Sequence, residues 1–224
     1  MLADLAQAMK VSGRPDSDAI KRVQAHVTAH PDVALASVLL GQLKIASGDV
    51  GGGTGVLESV VREHPNLLPA YYVLGAVYAT GGKLADARRH LEQLVAKDPT
   101  ITAAYVMLGV IESADGRPAE AVKRYKQALA VDPDCAPAAN NLAWHYAETA
   151  GDLDQALELA RRARAGAPDD PYIADTLGWI LFRRGLYGAA IEHLKESITK
   201  LPNNEEVRSH LGLSYLRSGD TASC

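Results

Sequence analysis

The sequence predicts an all-α chain, an α-solenoid of antiparallel helix pairs with about six repeats and a C-terminal capping helix. Three observations predict it. Apolar residues recur with helical spacing in paired runs, prolines recur at a near-constant interval, and small residues recur at fixed places within each interval. Self-similarity at a period of this length marks stacked repeats.

The unit is clearest from Leu68 to Pro99. An apolar stripe at Tyr71, Leu74, Gly75 and Tyr78 precedes a Gly81-Gly82 break. A second stripe follows at Leu84, Ala87, Leu91 and Leu94, and Pro99 closes the unit. Each stripe has the spacing of one helical face, so the unit reads as two amphipathic helices joined by a tight turn. Closing prolines stand at Pro31, Pro65, Pro99, Pro133, Pro168 and Pro202, with steps of 34, 34, 34, 35 and 34 residues. The leucine of the first helix recurs at Leu40, Leu74, Leu108, Leu142, Leu177 and Leu211. A small residue follows it each time: Gly41, Gly75, Gly109, Ala143, Gly178 and Gly212. The second helix has its own small place at Ala19, Gly53, Ala87, Ala121, Ala156 and Ala190. Small residues let the two helices cross close to each other's backbones. Glycines between the helices suit the left-handed residue that ends a helix. Prolines end the second helix, and Asp32, Asn66, Thr100, Asp134, Asp169 and Asn203 are expected to cap the next one. Pro69, Pro137 and Pro171 fall in first turns, where a missing N–H costs little.

These marks resemble the tetratricopeptide repeat. Its pattern of Trp/Tyr, Leu-Gly, Tyr, Ala, Phe/Tyr and Pro appears as Tyr71, Leu74-Gly75, Tyr78, Ala87, Leu91 and Pro99. The next copy reads Tyr105, Leu108-Gly109, Ala121, Tyr125 and Pro133, with Glu112 departing at the second aromatic place. The resemblance covers nearly the whole chain and implies a right-handed superhelix. Within the family, NNLAWHYAE and DTLGWILFRRG look like bacterial members, including exported repeat lipoproteins of exopolysaccharide and protein-sorting systems.

Residues 1–33 read as a degenerate first repeat, with a credible second helix from Asp18 to Ala29 and a first helix, Leu2 to Val11, that lacks the Leu-Gly pair. Residues 34–67 form the second repeat. Its Gly51-Gly52-Gly53-Thr54-Gly55 run lacks the Lys-Ser/Thr of a phosphate-binding loop, because Val56-Leu57 follows. A second helix that begins late is expected there, and the weakest part of the array, since each interior glycine costs ~1 kcal/mol against alanine. Repeats 68–101 and 102–135 are regular. Repeat 136–170 carries a one-residue insertion in the turn around Thr149 to Leu153, and 171–204 is the sixth repeat. Residues 205–217 are a lone capping helix, and 218–224 a tail.

Composition narrows the function. The chain is 47% hydrophobic but only 5% aromatic, as expected of helix pairs packed through Ala and Leu. A net charge of −4 lacks the basic footprint of a nucleic-acid binder. No window has the ~18 apolar residues that would span a bilayer, and Met1-Leu2-Ala3-Asp4 does not open like a signal peptide. The compartment stays open between cytoplasm and, for a piece of an exported chain, periplasm. Cys135 and Cys224 are too few for a disulfide framework, and Cys135 reads as a free thiol. The seven histidines show no metal-ligand spacing, there is no GxSxG elbow, and no catalytic, metal or cofactor constellation is expected. Asp152-Leu153-Asp154 is read as a turn and helix cap. Arg161-Arg162, Arg164 and Arg183-Arg184 are read as solvated helix ends.

Binding is expected where the repeat leaves residues unused. Counted from 34, 68, 102, 136, 171 and 205, places 4, 7, 8 and 11 of the first helix face its partner, and places 2, 5, 9 and 12 lie turned by about 100°. The family resemblance implies that the latter line a concave groove. Both tryptophans and the single phenylalanine fall there: Trp144 and Trp179 share place 9 in adjacent repeats, and Phe182 is at place 12. Trp144 and Trp179 are expected side by side as anchors, with Phe182, Tyr172 and Tyr72 as apolar wall and Asn140 and Asp175 as orienting polar groups. Val106 and Val110 continue the face in repeat four. The other reading of these aromatics is packing between neighbouring first helices. The family's carboxylate clamp does not carry over, because its Lys and Arg set is absent.

The expected function is a non-enzymatic interaction scaffold that binds a peptide segment of a partner protein. The alternatives are a spacer or self-association array within a larger, envelope-associated assembly, including a homodimer through an exposed array end, and the regulatory fragment of a multidomain enzyme.

Overall fold

The structure, a computed structural model, describes residues 17–149 and 152–219. Twelve helices and no strand occupy these residues: α1 (Ser17–Ala29), α2 (Ala34–Ala46), α3 (Val50–Glu63), α4 (Leu68–Thr80), α5 (Leu84–Lys97), α6 (Thr102–Ala114), α7 (Pro118–Val131), α8 (Ala136–Glu148), α9 (Leu153–Gly166), α10 (Pro171–Arg183), α11 (Tyr187–Lys200) and α12 (Glu205–Ser218). They fall into two units, one ending at Ile111 and one beginning at Glu112, within α6. The sequence reading of a helix from Leu2 to Val11, of a tail from Thr221 and of Cys224 lies outside the described residues. So does part of the turn insertion.

The turns explain the period. At each closing proline the residue two places on donates its N–H to the carbonyl of the residue before the proline. The pairs are Val33 to His30, Leu67 to His64, Ile101 to Asp98, Cys135 to Asp132, Asp170 to Ala167 and Asn204 to Leu201. These are β-turns with proline at the second position, where its fixed φ is already correct. The polar residue after each proline is therefore the third turn residue and not the helix cap, which corrects the expected caps by one position. Where the true N-cap is Asp170 or Asn204, its side chain accepts from the backbone N–H groups two and three residues on. Where it is Val33, Leu67 or Cys135, no side chain caps. At the other turns Gly82, Gly116 and Gly185 have φ of 68°, 70° and 77°. Lys83, Arg117 and Leu186 donate back to Tyr78, Glu112 and Leu181, closing Schellman motifs that need a left-handed residue.

In the first unit, α2 and α3 pack face to face. A Cβ on Gly41 would come within 2.6 Å of Leu57 Cγ, and one on Gly53 within 2.6 Å of the Gly41 carbonyl oxygen, so the backbones approach at the two small places. The helix α3 does not begin late: Asp49 accepts from Gly52 N at 2.9 Å, and the helix runs through the glycines from Val50. The third repeat departs from the regular pattern. The pair α4 and α5 touch along a short stretch, and Gly75 is covered by Met107 of α6, whose Cε would lie 2.0 Å from an added Cβ. Ala87 and Leu91 of α5 pack with Ala104, Leu108 and Ile111 of α6, whereas Leu74 packs with Leu57 and Val60 of α3.

In the second unit, α8 packs on α9 and α10 on α11. A Cβ on Gly178 would meet Leu194 Cγ at 2.6 Å and the Ala190 carbonyl oxygen at 3.2 Å, repeating the arrangement at Gly41. Glu112, where the repeat calls for an aromatic, is buried and its carboxylate meets the Arg117 guanidinium. Ser113 Oγ lies 2.7 Å from His145 Nε2, joining α6 to α8. Tyr125, buried beside that contact, has its phenol pushed up by burial, while hydrogen bonds with Ser113 and Asn141 oppose the shift. Burial holds the His145 imidazole below its ordinary range. The same is true of His193, where Arg164 adds to the effect. Arg164 itself pairs with Glu196 at 2.7 Å between α9 and α11. Cys135 is a buried free thiol raised by burial.

Two outcomes follow from this packing. Gly178→Ala should destabilise the chain by ~1–3 kcal/mol, because the methyl group meets Leu194. Gly212→Ala, with nothing within 4 Å of its Cβ, should be neutral or stabilising by up to ~1 kcal/mol; urea unfolding of both variants checks the pair. The two depressed histidines give a pH dependence. As pH falls through 6.5, the ordinary histidine value, the unfolded chain takes up protons that the folded chain refuses. Stability should therefore drop on acidification from about pH 7 to about pH 5. Melting curves of His145→Gln/His193→Gln should show a flatter dependence over the same range.

Candidate functional site

The expected aromatic pair lies in the second unit, on first helices of successive repeats: Trp144 on α8, and Trp179 and Phe182 on α10. The structure joins the tryptophans through a third ring. His210 of α12 stacks on Trp179 with centroids 4.2 Å apart and planes 20° apart, and lies 5.8 Å from Trp144 at 41°. The imidazole touches both indoles, a contact that the sequence reading did not include. Trp179 also stacks on Phe182 at 5.0 Å, and Phe182 meets Tyr187 at 5.5 Å. Offset ring pairs of this kind each contribute ~0.5–1.5 kcal/mol beyond the area they bury.

Polar groups hold this cluster at its edges. Trp179 Nε1 donates to Glu148 Oε1 at 2.7 Å, and Arg183 approaches the same oxygen at 3.4 Å while its guanidinium lies 6.0 Å over the indole. His210 Nδ1 lies 2.9 Å from Asp175 Oδ1. A carboxylate only accepts, so with Asp175 ionised Nδ1 carries the hydrogen. Asp175 is 7% exposed. It orients His210 instead of standing at the surface as an orienting group for a ligand, which corrects its expected role: carboxylate burial is satisfied here by the imidazole.

Trp144, Trp179 and Phe182 are half-buried, so part of each ring remains accessible. Asn140 is half-buried as well, and its side-chain oxygen is enclosed without a hydrogen-bond donor. Tyr172 stands on the first turn of α10 and is 57% exposed. The remaining expected residues belong to the first unit. Tyr72 on α4 is exposed. Val110 is half-buried against the Tyr71 and Leu108 core. Val106 is fully buried and therefore a packing residue, which corrects its assignment to a groove wall.

Sequence reasoning missed His210, Glu148 and Arg183. His210 is at place 6 of the last helix and Glu148 at place 13 of repeat five, both outside the four places taken to face a ligand. The one available signal was that Glu148 follows Trp144 by four residues, one turn along the same face. The Ser113–His145 contact has the length of a nucleophile–base pair, but no carboxylate orients the far ring nitrogen among the described residues. No group of three or more His, Cys, Asp or Glu converges for a metal among the described residues, and no described helix is long and apolar enough to cross a membrane.

Comparison with known proteins places this geometry. Two family models described as tetratricopeptide repeat match, one over residues 72–121 and the other over 113–180. A TPR repeat-containing protein of Pseudomonas aeruginosa is 37% identical over 79 residues, covering 35% of this chain and 13% of that relative. The chain therefore matches only about an eighth of the length of this curated relative. Among solved structures, the APC/C hetero-tetramer Cut9-Hcn1 superimposes with a TM-score of 0.66 over 91% of this chain and 40% of that chain, at 17% identity. YrrB, a TPR protein with an unusual peptide-binding site, superimposes with a TM-score of 0.50 over 84% of this chain and 96% of that chain, at 16% identity. At such identities the likeness is one of fold. Paired helices crossing at small residues, the proline-turn period, the family models and the shared all-α solenoid fold agree, and this chain is a tetratricopeptide-repeat protein.

Proposed function

We propose that this chain, whose fold is that of a protein-interaction scaffold, holds a peptide segment of a partner protein against the aromatic cluster of its second unit and does no chemistry on it. The observation that carries this reading is the Trp144–His210–Trp179–Phe182 cluster, pinned by Glu148 and Asp175, in which His210 is buried while both indoles and Phe182 keep accessible surface. Rigid aromatic rings held by their neighbours lose little entropy on binding, which suits them as anchors. Asn140 stands one turn before Trp144 on α8; its side-chain oxygen is enclosed and lacks a donor, so it meets a peptide backbone only when the side chain turns outward. Tyr172 extends the apolar surface along α10. The peptide-binding site named for YrrB supports the class of ligand, though not its sequence.

A second reading has its own observation. Leu213 and Leu216 on α12 are 38% and 58% exposed and three residues apart, an apolar pair on one helical face. It favours self-association through α12. Light scattering should then show mass rising with concentration and a constant monomer for Leu213→Glu/Leu216→Glu; a wild-type mass that stays monomeric throughout sinks this reading.

The main reading is tested with a peptide selected from a displayed random library on the full chain. Trp179→Ala should weaken its binding by ~2 kcal/mol or more in calorimetric titration, with Trp144→Ala close behind. Unchanged affinity with a sharply lower melting temperature would assign both indoles to packing alone.

A further inference from the structure

The first unit contains a half-open cavity of about 700 Å³, within the ~300–1,000 Å³ range of small-molecule sites. Its origin is the irregular third repeat. In the second repeat Leu57 of the second helix packs on Gly41, and in the sixth Leu194 packs on Gly178. In the third, Met107 of α6 takes that place over Gly75, so α5 shares a core with α6 and Tyr71 and meets α4 only along a short stretch. Tyr71, Leu74, Leu91, Leu94, Met107 and Ile111 line the space that opens. Packed protein interiors leave few apolar spaces of this size unfilled.

The mouth is polar, and its donors and acceptors are unequally used. Glu58 accepts from the Tyr78 hydroxyl at 3.1 Å. Asp98 accepts from Thr100 N and Oγ1 at 2.9 and 2.6 Å, which holds its carboxyl below the usual range. The Tyr71 hydroxyl is spent on the Pro65 carbonyl at 2.8 Å. The cations differ. Arg62, in the last turn of α3, contacts only the Ser59 hydroxyl, and Lys97, in the last turn of α5, and His90 have no carboxylate within ion-pair distance among the described residues. Arg62 and Lys97, without ion-pair partners among the described residues at a rim where Glu58 and Asp98 already accept from Tyr78 and Thr100, are complementary to an added carboxylate.

We propose that this cavity binds a free amphiphile with a single carboxylate head and an unbranched apolar tail. The tail lies among Leu74, Leu91, Leu94 and Met107, and the head meets Lys97 and Arg62. A carboxylate bound there replaces hydration of both cations by charge-assisted hydrogen bonds, while the tail removes apolar wall from water.

The test uses the full chain with 1-anilinonaphthalene-8-sulfonate as fluorescent probe, displaced by dodecanoate. Dodecanoate should displace the probe saturably with one equivalent. Dodecan-1-ol should be weaker by about tenfold or more. Arg62→Glu/Lys97→Glu should weaken dodecanoate by a similar factor and leave dodecan-1-ol unchanged, and Leu94→Trp should abolish displacement by filling the cavity. Trp144→Ala/Trp179→Ala should change nothing, which separates this site from the peptide surface. If Leu94→Trp fails to fold by circular dichroism, the charge-reversal and alcohol arms still decide. Unsaturable displacement, equal potency of acid and alcohol, or loss of displacement in the tryptophan double variant would each overturn the proposal.

Discussion

Where a first helix meets its own second helix, a leucine side chain reaches backbone at a position that has no room for a Cβ. Leu57 does this at Gly41 and Leu194 at Gly178, with the answering small residues Gly53 and Ala190 bringing their own backbones close. The contact joins two helices over a short span and places the remaining apolar residues of each in one layer. Stability in such arrays is a sum of repeat and nearest-neighbour terms, so each crossing matters locally. The third repeat shows the consequence: once Met107 covers Gly75, α5 packs with the next helix, and space opens beside α4.

The second unit uses a different device at its aromatic cluster. His210 contributes to ring stacking and accepts orientation from Asp175, so one imidazole couples α12 to α8 and α10. Glu148 does the same for Trp179 through the indole N–H. Buried polar groups that are satisfied in this way specify geometry. The rings are thereby held in one arrangement while keeping exposed surface, a condition for an anchor and equally a demanding piece of packing.

Local chemistry was largely legible. Helical periodicity located the described helix pairs, and the prolines located the turns. The small residues at Gly41 and Gly178 marked the crossings. The caps were misplaced by one residue because an Asx residue after proline suits both a turn and an N-cap, and the His64–Leu67 type of hydrogen bond decides between them. The glycine-rich start of α3 was read as non-helical on intrinsic propensity, which the Asp49 cap and the Gly41–Gly53 crossing override. Of the aromatic cluster, Trp144, Trp179 and Phe182 were picked out in the sequence because they fall outside the repeat's own needs. Asp175 and Val106 were misjudged because a helical wheel gives direction from one axis and not what lies opposite.

By itself, then, the sequence determined the all-α repeat, its period, its turn residues and which face of each helix is apolar, since all of these depend on residues within a turn or two of one another. Only the tertiary structure decided which helix supplies the side chain that fills a given place: Met107 instead of Leu91 at Gly75, and His210 against both indoles. The reason is physical. Periodicity specifies orientation about a helix axis, whereas the choice between neighbouring helices rests on close packing among side chains far apart in the chain.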